Sequence, residues 1–346
     1  MTQKYRGVTL VEFLISIAIG LLIITIVLSV YLAQTQFYKV GVAQATMQNA
    51  ENAIAEIITP YIRSAGFAGC ATFMRTYSAL NPISSPPLSV LNTTPRIITG
   101  YTATPAISPI NAANDSAANH WSPSLDSGLV GNVKSGSDVI VLLGGVLNKQ
   151  PVGVTAITNG SASFTVQTSS GITAGQLGVI SDCAKATLFA ITGVSGNQIS
   201  HAASGGNASA SFNVSYPVGS QFLPVQQTAF FVGLGEGNQS ALKMGTFNGT
   251  TWTIQSLIPN VDTLKVSYGV GDNGVIQQYV SANNVVNWDK VYAVRLGFIL
   301  SGQVASGSTN GNPTQFTLLG QTVTIPADNR LRHTFEIMIY MRNATI

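Results

Sequence analysis

From Val8 to Ala33 the chain is apolar with a single charge in it, the carboxylate of Glu12. The stretch from Phe13 to Ala33 makes a helix about 30 Å long, which is enough to cross the hydrocarbon core of a bilayer. A charged side chain near that core costs about 2.5–3.5 kcal/mol on insertion scales, so its retention points to a partner and a role. Cutting the chain after Gly7 would supply the partner, because the new α-amino group of Val8 stands four residues before Glu12 on the same helix face. The amine of a neighbouring chain would serve equally well. Lys4 and Arg6 precede the run and place the N-terminus on the cytoplasmic side. A secretory signal has an apolar region of about 7–15 residues before a small-residue cleavage site. The run here is longer, which leaves a plain signal anchor as the alternative to a processed one.

Charge is scarce along the whole chain. Asp, Glu, Lys and Arg make up 8% of 346 residues, against about 25% in an average soluble protein. With Gly, Ser, Thr, Asn and Ala abundant, this suits an extracytoplasmic β-rich protein with long polar loops. The net charge of +3 is unclustered and forms no basic stripe that would argue for nucleic acid. Cys70 and Cys183 are the only cysteines and lie too far apart for a CxxC redox pair or a zinc knuckle. In an exported chain a disulfide is the natural reading of such a pair, with two buried free thiols as the alternative.

Beyond Ala33 polar residues interleave with the apolar ones, so the helix leaves the lipid and continues. Ile54, Ile57, Ile58, Tyr61, Ile62 and Ala65 form one apolar stripe at helical spacing, and that stripe needs a sheet to cover it. Pro60 should kink the helix or end its regular portion, and Gly66 and Gly69 are stop signals. The Pro-, Ser-, Asn- and Thr-rich stretch from Ala71 to Ser137 reads as a long loop with one short helix. After it, β-type runs recur between Gly, Asn and Ser turns: 139–143, 177–181, 187–192, 228–234, 241–247, 251–257, 261–270, 291–300, 321–325 and 334–342. This spacing predicts antiparallel sheets, and no alternating helices suggest a parallel one. The fold class is therefore α+β, a long N-terminal transmembrane and amphipathic helix packed on a C-terminal antiparallel β-sheet head.

Catalytic and metal chemistry find little support. His120, His201 and His333 are far apart and share no ligand spacing with each other or the cysteines. No GxSxG elbow or phosphate-binding Walker loop is present. Gly233-Leu234-Gly235-Glu236-Gly237 follows a strand but has Asn238 where a dinucleotide fingerprint needs its third glycine; a hairpin turn is the simpler reading. Asp272-Asn273-Gly274 lacks the alternating ligands and closing Glu of a calcium loop and reads as a tight turn. No cofactor, metal or catalytic residue is assigned.

The segment Arg6-Gly7-Val8-Thr9-Leu10-Val11-Glu12-Phe13 resembles the class III signal of type IV prepilins and type II secretion pseudopilins, with Val8 where Phe or Met is commoner. Further segments are similar to the PilW-type minor pilins: Gln48 to Ala53, then Tyr61-Ile62-Arg63-Ser64-Ala65-Gly66-Phe67-Ala68-Gly69-Cys70. Gly136-Ser137-Asp138-Val139-Ile140, Ser181-Asp182-Cys183, Val266 to Val270, Ala293-Val294-Arg295-Leu296 and Asp328 to Asn343 follow in the same order.

This resemblance implies cleavage by prepilin peptidase between Gly7 and Val8, N-methylation of Val8, and Glu12 as the charge that docks on a subunit's N-terminal amine. It also implies that Cys70 at the helix end is bonded to Cys183. Residues 1–7 would then be a cleaved leader and 8–33 the transmembrane half of the helix. Residues 34–69 would be its periplasmic amphipathic half, 70–137 a long loop region and 138–346 the β-rich head. The implied function is a minor pilin that primes type IV pilus assembly at the inner membrane, with its head in the periplasm and its final place at the pilus tip. Its partners would be other minor pilins, the major pilin, prepilin peptidase and a PilY-type tip adhesin. The alternatives are a J-class pseudopilin of type II secretion, generally shorter than this chain, and a tip adhesin or DNA-binding subunit.

Overall fold

The computed structural model describes residues 9–72, 76–78, 96–104, 113–247, 251–302, 314–325, 328 and 330–344. A single helix runs from Leu10 to Ser64. Its amino-terminal part is long and apolar enough to cross a membrane, and no other element covers it. Farther along, Ala43, Met47, Ala50, Ile54, Ile58 and Ile62 recur at spacings of three and four and are buried. From Met47 onward they join both major sheets in one core, with Ile57 and Tyr61 packed at its margin. Pro60 does not end the helix, which continues to Ser64. Pro60 and Glu56 both lie on the exposed face, so water can satisfy the carbonyl that Pro60 leaves without a donor. The helix ends at Ser64, followed by Gly66 at φ +78°, while Gly69 at φ +80° belongs instead to the turn between the short paired strands Phe67–Ala68 and Ala71–Thr72, both in a region glycine enters without steric cost.

The head is built on strand Gln221–Leu234. Its carboxy-terminal half lies between Val139–Gly145 and Ser240–Phe247, and its amino-terminal half pairs with Leu177–Ser181, all antiparallel. Around this axis the large sheet has 13 strands. A second sheet of four strands runs in the order Val275–Val280, Val261–Asp272, Val291–Ser301, Arg332–Tyr340, antiparallel throughout. The Asp272-Asn273-Gly274 turn closes a hairpin here, with Asn273 and Gly274 both at positive φ, as tight hairpin turns require.

The stretch read as a loop between residues 70 and 137 in part contributes strands to the large sheet. Strand Ile98–Ala103 is buried at all six positions and pairs with Val139–Gly145. Trp121–Ser122 pairs with its end, after a three-residue helical turn at Ala118–His120. Gly100 hides the strand in the sequence by interrupting its β-branched pattern, but the site admits no larger residue: a Cβ there would overlap the Tyr268 hydroxyl. Strands Val152–Ile157, Ser163–Val166, Gly193–Ser195 and Gln198–Ser200 also lie outside the predicted runs, because three of them are very short and the first is interrupted by Gly153.

Ser137 and Asp138 tie the two sheets together. Asp138 N–H donates to Leu264 O at 2.8 Å, and Leu264 N–H donates to Ser137 Oγ at 3.1 Å. The Asp138 carboxylate accepts the Ala103 and Val266 N–H groups at 2.9 and 3.0 Å and Lys265 Nζ at 3.3 Å. Asp138 and Lys265 are 1% and 2% exposed, so neither charge can be satisfied by water if the other is removed. Asp138→Ala is expected to cost about 3–5 kcal/mol, measured by denaturant unfolding, while Asp272→Ala, which removes the solvent-exposed pair with Lys290, costs much less.

A separate core gathers Phe164, Phe189, Phe222 and Tyr216 around the buried His201, whose ring stacks on Phe212 at 4.0 Å. Burial pushes the His201 pKa down to about 4 from 6.5. Because the unfolded chain binds this proton more tightly, the contribution of His201 is full above pH about 6.5 and is lost as pH falls toward 4. Asp126, raised to about 6 by burial, works in the opposite sense, its contribution being lost as pH rises through 6. His201→Phe should therefore gain stability relative to the parent as pH is lowered from 7 to 4, measured by paired unfolding curves. An unchanging difference would refute the burial argument.

Candidate functional site

Two places carry the residues singled out in the sequence: the start of the long helix and its junction with the head. Gly7 and Val8 lie outside the described residues. The helix begins at Leu10 with Thr9 as its N-cap, in extended conformation. Glu12 N–H donates to Thr9 Oγ1, while Thr9 N–H and the Thr9 hydroxyl both donate to Glu12 Oε2, each at 3.2 Å. This reciprocal capping box satisfies two amide donors that a helix start leaves open. The role of Thr9 is readable in the Thr-x-x-Glu spacing that heads the apolar run, a signal that reading Glu12 only as a membrane charge passes over. Among the described residues Oε1 of Glu12 has no partner, so the carboxylate can hold its own helix start and still receive a cation.

At the other end, the helix meets strand Val139–Gly145. Ala65 bridges Gly144, and Gly66 N–H donates to Leu143 O at 2.8 Å. Gly144 permits this approach, since a Cβ there would stand 2.8 Å from Ser64 O. Asn343 Nδ2 reaches Ala65 O at 3.1 Å and Arg63 O at 3.4 Å, closing carbonyls that the last helical turn leaves free. Four residues past Gly66, Cys70 is bonded to Cys183, 113 residues away, with Cα atoms 4.6 Å apart. Cys70 N–H donates to Gln221 Oε1 at 3.1 Å.

On the other side of the bond Cys183 has φ +68°. The turn that holds it there is fixed by Asp182, whose carboxylate accepts the Ala184 and Lys185 N–H groups and the Lys185 ammonium. Burial alone would raise the Asp182 pKa, but these hydrogen bonds hold it below the usual carboxylate value. Lower on the helix, Glu51 and His333 Nδ1 are 2.8 Å apart. Among the described residues no group of three His, Cys, Asp or Glu side chains could hold a metal ion.

The separated segments that resemble one family thus converge in space: the helix end with Asn343, Cys70 with the Ser181-Asp182-Cys183 run, and Ser137-Asp138 with Leu264 to Val266. Comparison with known proteins agrees. Residues 229–343 match the model of the type IV pilus-assembly protein W family, and residues 2–28 match the prokaryotic N-terminal methylation motif. The PilW match thus lies in the carboxy-terminal part of the chain, behind an amino-terminal match to the methylation motif.

Among solved structures, a type IV-like pilin from Thermus thermophilus is similar at 23% identity, over 35% of this chain and 67% of its own, with a TM-score of 0.22. No curated protein matches the chain. The PilW match begins inside the axial strand and ends at Asn343, so it covers the four-stranded sheet and leaves Cys70, Cys183 and the aromatic core around His201 outside.

The loop closed by the disulfide is long, so its contribution in the chain-entropy model is on the order of 4–5 kcal/mol. Unfolding of the oxidised protein against the Cys70→Ser/Cys183→Ser variant should show a loss of unfolding free energy of that order. Two free thiols on mass analysis of the unreduced protein would remove the basis for it.

Proposed function

We propose that this protein is a minor pilin that primes assembly of a type IV pilus. The observation that carries the reading is a PilW domain set on a helix that is long and apolar enough to cross a membrane and has one carboxylate, Glu12, in its first turn. Prepilin peptidase would cut between Gly7 and Val8 and the new Val8 amine would be methylated. Before assembly the helix would hold the chain in the inner membrane with the head in the periplasm.

Glu12 would then pair with the N-terminal amine of an adjoining subunit. Since Oε2 is engaged by Thr9, the amine would meet Oε1. The capping box keeps the carboxylate partly satisfied while the subunit waits, which lessens the cost of a lone charge in lipid. The role is one of assembly, not of catalysis. Other minor pilins and the major pilin would contact the helix and the head, and a PilY-type adhesin is the expected partner at the tip.

The test is genetic. In a strain that cannot retract its pili, deletion of this gene should lower the number of surface pili, and the intact gene should restore it. A Glu12→Ala allele should leave the protein in the membrane but absent from sheared pili. Incorporation of Glu12→Ala at the parental level would rule out the pairing mechanism, and a deletion that blocks secretion while sparing pili would assign the chain to the pseudopilins.

A further inference from the structure

Where the large sheet meets the four-stranded sheet, a cavity of about 130 Å³ is lined by Lys134, Ser240, Asp262, Asp328, Arg330 and Arg332. Three cations and two carboxylates share it, and the pairing is uneven. Arg332 takes both carboxylates. Its Nε donates to Asp262 at 2.6 Å, and its two terminal nitrogens donate to the two Asp328 oxygens at 2.7 Å. Arg330 is held by neutral acceptors, Gly302 O at 2.8 Å and Asn260 Oδ1 at 2.7 Å.

Lys134 is 5% exposed, and its ammonium makes one hydrogen bond, to Ser240 Oγ at 2.7 Å. Among the described residues two of its three donors have no partner. Among the described residues neither Lys134 nor Arg330 has a carboxylate within ion-pair distance. Burial lowers the Lys134 pKa; Arg332 and Arg330 reinforce this, while Asp262 and Asp328 oppose it.

A buried cation without a counter-ion costs several kcal/mol. The residues that could neutralise Lys134 are already committed to Arg332, so the missing negative charge has to come from outside the cavity. A space of this size holds several waters and so is large enough for a small oxyanion. We propose that the cavity is an oxyanion site, holding one free phosphate- or carboxylate-sized anion between the Lys134 ammonium and the Arg330 guanidinium. Charge-assisted hydrogen bonds from both cations would bind it, and the anion would brace the large sheet, which contributes Ser240, against the four-stranded sheet, which contributes Asp262 and Arg332.

The test is calorimetric titration of the full chain in detergent with inorganic phosphate and, separately, with acetate, at an ionic strength held constant with sodium chloride. Saturable binding of phosphate, of acetate, or of both is expected. Lys134→Met and Arg330→Gln should each weaken it about tenfold, the effect of one lost charge-assisted hydrogen bond. Which anion binds distinguishes a phosphate site from a carboxylate site within the same chemistry. Absence of saturable binding by either anion overturns the proposal, as does binding that both variants retain undiminished. Should Lys134→Met fail to fold by circular dichroism, the more peripheral Arg330→Gln decides alone.

Discussion

Asp138 accepts hydrogen bonds from three directions at once, and the relation of the two sheets depends on it. One oxygen receives a main-chain N–H of the buried strand Ile98–Ala103 and the Lys265 ammonium, and the other receives Val266 N–H in the second sheet. A buried carboxylate so supplied is a specifying interaction more than a stabilising one. A well-packed apolar replacement of the whole pair could be as stable, whereas removal of one member leaves a bare charge. The helix uses the same seam. Its buried face from Met47 to Ile62 covers apolar residues of both sheets, so the sheets must already be in register for the helix to find one continuous surface.

The parts of this architecture that the sequence shows are those with strong periodicity. The apolar stripe from Ile54 to Ala65, the glycine stops after it and the long Val-, Ile- and Phe-rich strands all lie where a one-dimensional pattern puts them. Strand Ile98–Ala103 does not, because it is buried on every side and so has no alternation to display, and because its one glycine answers to Tyr268, far along the chain. The small polar strands around the His201 core are similarly silent; their apolar positions are too few to mark a period.

The site divides along the same line. Glu12 stands out because a charge in an apolar run is conspicuous, and its partner Thr9 could be read from a three-residue spacing. The cysteine pairing followed from resemblance and is now a bond with defined neighbours. By contrast, nothing local joins Lys134 to Arg330, or Asn343 to the last carbonyls of the helix. These contacts are made by topology, between residues whose separation in sequence conceals that they share a few ångströms of space.

The junction of helix and head has a mechanical meaning. A pull along the helix axis enters the head through Ala65 and Gly66, whose main-chain contacts with Gly144 and Leu143 lie at the end of a central strand. Were these to yield, only the few residues from Gly66 to Cys70 could extend before the load passed through the covalent bond to Cys183. That residue follows directly on strand Leu177–Ser181, itself paired along the axial strand Gln221–Leu234. Tension passing through the covalent bond is thus handed to the middle of the largest sheet, while the Glu51–His333 pair and the Asn343 contacts share the load with the four-stranded sheet and the segment after it.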